Sequence, residues 1–363
     1  MRRYDASRSR RSVPGRGALS NPEGRFERLR REAVDDGWAP VPDPPPPVTS
    51  WVEDASRTVI ARNRSPDVPF DRSLNPYRGC EHGCIYCFAR PAHARLGYSP
   101  GLDFESRLVV KTRAAELLAR ELGRPGYRPA PIALGADTDA WQPLERRLGI
   151  TRAVLGVLAE TRHPVMAVTK SALIERDLDL LAPMAARGLV RVAVSLTGLD
   201  PELSRRLEPR AAAPGRRLRV IAALHQAGVP VTVLFAPLIP ALNDHELEVT
   251  LEAAAAAGAG SAGYVCLRLP GELAGLFEEW LRVHRPGAAE RILARVRELH
   301  GGELYRSDFG RRMRGDGVLA ELIAQRFRLA CRRLGLEGEP PALDCSQFRA
   351  PSAQMDLFGR QGC

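Results

Sequence analysis

From about residue 73 onward the chain predicts an α/β fold, with a parallel sheet covered by helices that is doubly wound or curls into a barrel or part of one. Two observations carry this. Short runs that are apolar on both faces alternate with amphipathic helical stretches, a pattern that requires helices on both sides of a parallel sheet. Polar residues also gather just after several of these runs, where barrels and open parallel sheets place their functional groups.

The predicted strands are "PIALG" (131–135), "PVMAVTK" (164–170), "VRVAVSL" (190–196), "VPVTVLFAPLIP" (229–240) and "AGYVCLRLP" (262–270). Between them lie the helical patterns "LERRLGITRAVLGVLAET", "ALIERDLDLLAPMAARG", "PGRRLRVIAALHQAG" and "NDHELEVTLEAAAAAG". Several end at glycine, the usual helix C-terminal signal. Right-handed crossovers at each step let successive strands lie side by side. The polar strand ends are Asp137, Thr138 and Asp139, then Thr169, Lys170 and Ser171, then Ser195 and Thr197, then Asn243 and Asp244, the last also a natural helix cap.

Residues 1–60 read as an irregular arm rich in arginine and proline. The run Pro44–Pro47 supplies no backbone N–H to a ladder or helix. Residues 61–300 hold the barrel, and 301–363 form an extension with one amphipathic helix in "GVLAELIAQRFRLACRRLG". No strongly apolar run is long enough to span a bilayer and the N-terminus lacks a secretory pattern, so the expected setting is cytoplasmic, with no membrane partner.

Seven cysteines, four of them isolated at Cys266, Cys331, Cys345 and Cys363, do not make a disulfide framework. The net charge of +10 is compatible with a polyanionic partner such as nucleic acid. Of the 53 basic residues only Lys111 and Lys170 are lysine. A lysine that survives such a bias marks a place where a compact charge on a slim stem is needed and a guanidinium fork does not fit. Lys170, at a strand end, suits that reading, whereas Lys111 is expected on a solvated face.

The remaining three cysteines, Cys80, Cys84 and Cys87, fall within "NPYRGCEHGCIYCFARP", where Gly79 and Gly83 let the backbone wrap. A structural zinc site asks for four ligands, with only His82 and His93 nearby to complete one. Three thiolates with an open position also suit a [4Fe–4S] cluster in which one iron is left for a substrate or cofactor.

C-x3-C-x-aromatic-C, with Tyr86 before the third cysteine, resembles the signature of the radical S-adenosylmethionine (SAM) superfamily. "GADTDAWQPLE", "VTKS", "LEPR" and "APLIP" resemble its spore photoproduct lyase-like branch. The arm "GRGALSNPEGRFE" and "ARNRSPDVPFDRSLNPYRGCEHGC" are similar to an uncharacterised bacterial family of that branch. The resemblance implies a partial (β/α)6 barrel of the TIM type, a [4Fe–4S] cluster and SAM as cofactors, an electron donor such as flavodoxin or ferredoxin, and reductive cleavage of SAM to a 5′-deoxyadenosyl radical. It implies cluster ligation by Cys80, Cys84 and Cys87, with SAM as ligand of the fourth iron. Tyr86 is expected near the adenine, Lys170 and Ser195 at the SAM carboxylate or ribose, and Asp137, Thr138 and Asp139 at its ammonium. Arg210 or Arg217 would pair the carboxylate. Spore photoproduct lyase has a hydrogen-donating cysteine after its second strand and "LGADTDAW" has none, which leaves Cys266 as the weak catalytic candidate. Trp141, Tyr264 and Arg268 are expected to line a substrate cavity. A second class of function, a non-catalytic iron–sulfur or zinc protein that binds nucleic acid through its arm, uses the same cysteines; the polar strand ends argue against it.

Overall fold

The computed structural model describes residues 13–26 and 47–351. Six parallel strands stand in sequential order: β1 (Arg72–Leu74), β2 (Ile132–Leu134), β3 (Val165–Thr169), β4 (Val190–Leu196), β5 (Val231–Leu238) and β6 (Ser261–Cys266). Their register runs Leu74 to Leu134, Leu134 to Ala167, Thr169 to Val194, Leu196 to Phe235 and Phe235 to Tyr264. Unbroken sequential order with parallel pairing is the partial TIM-type barrel expected. β1 was not legible beforehand, because three residues are too few to display a period.

The covering helices include α1 (Ala114–Leu122), α2 (Ile150–Glu160), α3 (Leu178–Ala185), α4 (Pro214–Gln226) and α5 (Leu247–Ala256). They bury Leu118, Leu155, Leu181, Val220, Ile221 and Leu251 against the strands. After β6, helices α6 (Leu273–His284) and α7 (Ala289–Leu299) build a second core with Ala18 and Ile85. In it Trp280 stacks on Phe277 at 5.8 Å and donates to the Arg206 carbonyl at 3.1 Å. Helix α8 (Val318–Leu334) packs on α5.

Two segments expected to be peripheral take part in the body. Ser50–Glu53, within the arm read as irregular, is a strand parallel to Arg107–Val110. The turn at 308–316 bridges the open side of the partial barrel. Cys266 donates its backbone N–H to the Met313 carbonyl at 2.8 Å, and Asp67 accepts from Gly310 N at 2.6 Å and from the Arg312 side chain. The bridge therefore ties the β6 edge to the loop that leads into β1. Among the described residues no helix is long and apolar enough to cross a membrane.

Candidate active site at the cysteine loop

The cysteine loop follows β1 and is held from behind by charge. Arg90 has no exposed surface and donates to the carbonyls of Cys84 (2.9 Å), Gly83 (3.1 Å), Gly101 (2.9 Å) and Pro100 (3.1 Å). Its counter-charge is the equally buried Glu105. Glu105 also accepts the backbone N–H groups of Gly17 at 3.0 Å and Ala18 at 2.9 Å. The segment "GRGALSNPEG" is thus a strap across the back of the loop. A side chain at Gly17 has no room, since a Cβ there would lie 1.9 Å from the Gly83 oxygen. Gly83 itself has φ +68°, where an L side chain is strained, and a Cβ would press on Glu105. The first twelve residues, which carry five of the arm's eleven arginines, and Cys363 lie outside the described residues.

Gln142 accepts from Glu81 N at 2.8 Å and donates to the Gly79 carbonyl at 3.3 Å. Arg210 pairs with Glu81 at 2.7 Å, and its backbone N–H meets the His82 carbonyl at 3.2 Å. The loop's other face opens on a cavity of about 670 Å3 at the carboxyl ends of the strands, within the usual range for a cofactor site. Cys80, Cys84 and Cys87 line it as free cysteines. Burial pushes all three thiols above their ordinary range, while the Lys170 ammonium counteracts this for Cys84 and Cys87. Metal ions overcome such a penalty by ligating the thiolate. Among the described residues no three His, Cys, Asp or Glu side chains are gathered as ligands of one ion. A cubane asks for a different arrangement, with each thiolate on its own iron. Three free thiols on one wall of a cofactor-sized cavity fit it.

Several of the polar residues read from the sequence do meet here. Asp137, Thr138, Asp139, Lys170, Ser195, Tyr86, Cys266, Tyr264 and Arg268 all line the cavity. Asp137 is open to water inside it yet enclosed by protein, so desolvation raises its carboxyl despite the charges of Lys111 and Arg268. Its carboxylate has no ion-pair partner among the described residues, which leaves it available to an ammonium group. Asp139 is occupied: it accepts from Thr169 Oγ1 at 2.8 Å, Lys170 N at 2.7 Å and Trp141 N at 2.9 Å. Thr138 donates to the Tyr77 carbonyl at 2.6 Å. The Lys170 ammonium lies 5.9 Å from the centre of the Tyr86 ring, and burial lowers its pKa. The Tyr86 hydroxyl donates to Glu208, whose carboxyl is raised by burial.

Other expectations are corrected. Arg217 is fully engaged in the wall, with Glu208 as ion-pair partner and bonds to the carbonyls of Ser195 at 2.9 Å and Ala212 at 2.6 Å. Neither Arg217 nor Arg210 lines the cavity; both brace its frame. Trp141 is core, its indole N–H on Asp177 at 2.8 Å. Lys111 is not on a solvated face: it is half-buried, and burial lowers its pKa. Cys266 lines the cavity with its thiol on the Arg314 carbonyl at 3.3 Å, and burial holds its pKa up at about 12. Sequence reasoning does not single out Glu105, Arg90 and Glu208, although Glu208 lies within "LEPR" and Arg90 within "NPYRGCEHGCIYCFARP".

A parallel partial barrel with three thiols in a loop at its carboxyl end defines a cofactor-dependent barrel enzyme. The chain belongs to the radical SAM superfamily, whose sequence model matches residues 74–254. Members of that superfamily use a [4Fe–4S] cluster and SAM. An uncharacterised protein of Mycobacterium tuberculosis is 40% identical over 275 residues, 74% of this chain and 79% of the relative. One from Methanocaldococcus jannaschii is 26% identical over 173 residues, 48% of this chain and 62% of the relative. Among solved structures, a double mutant of spore photoproduct lyase with bound AdoMet and dinucleoside spore photoproduct superposes with a TM-score of 0.56 at 12% identity, covering 78% of this chain and 79% of the other. The likeness to spore photoproduct lyase is one of fold.

Proposed function

We propose that this enzyme cleaves SAM reductively at a [4Fe–4S] cluster held by Cys80, Cys84 and Cys87, and abstracts hydrogen from a nucleic-acid substrate. The observation that carries the reading is the cysteine loop opening on one cavity with Asp137, Lys170 and Ser195 around it. When bound, the cofactor pair supplies a 5′-deoxyadenosyl radical, at the cost of one electron from a donor such as flavodoxin or ferredoxin. The chain's own residues supply the rest. Asp137 offers the unpaired carboxylate that suits the SAM ammonium. Lys170 offers a compact cation for its carboxylate. Tyr86, fixed by Glu208 and Arg217, presents an immobilised ring to the adenine. The barrel wall and the 308–316 bridge surround the cavity, with Gly310, Met313 and Arg314 in its lining. Cys266, kept as a neutral thiol by burial, is the candidate hydrogen donor. We read the setting as cytoplasmic, where thiols stay reduced.

Nucleic acid is the substrate class favoured by the net charge of +10 and by the fold shared with a lyase whose structure holds a dinucleoside. The test is anaerobic reconstitution, reduction and assay for 5′-deoxyadenosine with and without single-stranded DNA and RNA. Product that rises with one of them supports the reading. Iron or zinc bound with no 5′-deoxyadenosine formed would return the protein to a non-catalytic binding role.

A further inference from the structure

Arg268 stands two residues beyond β6 and lines the cavity, with its guanidinium 4.3 Å from the centre of the Phe88 ring. Phe88 directly follows the third cysteine, lines the same cavity and is 42% exposed. The other cations of this wall have protein partners. Arg191 donates to the carbonyls of Pro340 at 3.3 Å and Pro341 at 3.2 Å. Arg314 lies 4.0 Å over the Tyr264 ring, and Lys170 faces Tyr86 beside the thiols. Asp67, a lining carboxylate near Arg268, is taken up by Arg312 and Gly310 N, and Asp137, whose carboxylate also feels the Arg268 charge, makes no ion pair with it. Among the described residues no carboxylate pairs with Arg268 and no oxygen accepts its hydrogen bonds.

Arg268 is only half-buried, so water reaches its fork and the lack of a counter-charge is tolerated, whereas the fully buried arginines of this chain carry one. Buried Arg90 has Glu105, and buried Arg217 has Glu208. A planar fork left open beside the cluster loop is shaped for an incoming oxyanion, which it can bind through two parallel N–H groups. The surroundings narrow the source of that anion. Besides Arg268 on Phe88, the cavity carries a second guanidinium–aromatic pair, Arg314 on the buried Tyr264 ring, and Arg312 on the 59% exposed Phe309 ring sits on the 308–316 bridge outside the cavity lining. Cations that track a backbone, interleaved with π-faces, are the means by which single strands are held. A base still stacked in a duplex could not reach a cavity of about 670 Å3.

We propose that Arg268, clamped on Phe88, receives a phosphate of an unpaired nucleic-acid strand and so fixes the substrate over the cysteine loop. This rests on the nucleic-acid reading above. The test uses anaerobically reconstituted holoenzyme, with binding of fluorescent single-stranded DNA and RNA dodecamers measured by anisotropy across a salt series, and SAM affinity by equilibrium dialysis. R268Q should weaken binding of the preferred dodecamer about tenfold and flatten the dependence of log affinity on log salt by about 0.7. R268K should recover part of the loss, while iron content and SAM affinity stay at wild-type values. Unchanged affinity and slope in R268Q, with the wild type binding well, would overturn this assignment and leave the nucleic-acid reading standing. A parallel loss of SAM affinity would also overturn it, by making the SAM carboxylate the anion. If the wild type bound neither dodecamer, the nucleic-acid reading itself would fall, and Arg268-dependent binding of poly-glutamate in its place would point to a peptide carboxylate.

Discussion

Glu105→Gln keeps the shape of the side chain and removes its charge from a position with no exposed surface. Three donors converge on that carboxylate: Arg90, Gly17 N and Ala18 N. A glutamine offers one oxygen and turns an NH2 toward the remaining donors, so at least one buried donor loses its acceptor. Removing one partner of a buried ion pair costs about 3–5 kcal/mol. An orphaned buried donor costs about 1–3 kcal/mol, and the two overlap because Arg90 is counted in both. A net loss of about 4 kcal/mol is therefore expected, a large part of the roughly 5–15 kcal/mol that holds a folded domain. The loss should concentrate at the cysteine loop, whose carbonyls at Gly83 and Cys84 Arg90 grips. The assay is denaturant unfolding of the iron-free chain together with iron content after anaerobic reconstitution. Glu116→Gln, in an exposed pair with Arg113 and Arg120, serves as the control and should change neither. A chain beginning at Trp51 lacks the strap and should also load iron poorly. If Glu105→Gln lost under about 1 kcal/mol and still took up a full complement of iron, the strap and its ion pair would not be what positions the loop.

Anaerobically reconstituted protein should carry about four irons per chain, and Cys80→Ala, Cys84→Ala or Cys87→Ala should each abolish that loading; zinc retained in place of iron would contradict the cluster. Lys170→Arg should weaken SAM binding at least tenfold, because the wider fork must fit between the Tyr86 ring and the thiols, while Lys111→Arg, outside the cavity lining, should do much less. Equal effects on dialysis would refute the argument from lysine scarcity. His163 is fully buried between the Tyr127 hydroxyl at 2.8 Å and the Pro164 carbonyl at 3.0 Å, and burial lowers its pKa to about 4. The unfolded chain binds this proton below its ordinary value of about 6.5, so stability should be full above that pH and fall as pH drops toward 4, by on the order of 3 kcal/mol from this group. His163→Gln should remove one proton's worth of that slope in unfolding titrations; an unchanged slope would refute the assignment.

The sequential run of parallel strands with its covering helices and the three-cysteine loop were legible in the linear chain because each is local, whereas the two-residue strand Ala61–Arg62, antiparallel to β1 at the sheet edge, was too short to show. Strand and helix periods are written in consecutive residues, and the three cysteines span eight positions. The polar strand ends were legible for the same reason: a parallel barrel brings its carboxyl ends to one side whatever the loops do, and Asp137, Lys170, Ser195 and Tyr86 accordingly share one cavity. Choosing among the arginines was beyond the sequence. In a chain that uses arginine almost everywhere, Arg210, Arg217 and Arg268 look alike until their partners are known. Glu208 is only nine residues from Arg217, but Glu81 is 129 residues from Arg210, and Asp67, which leaves Arg268 free by taking Arg312, is 245 residues from Arg312. The same holds for the strap, since Gly17 meets Glu105 across 88 residues. Whether a buried charge braces the fold or waits for a ligand depends on what it faces after folding, and that only the tertiary structure decided.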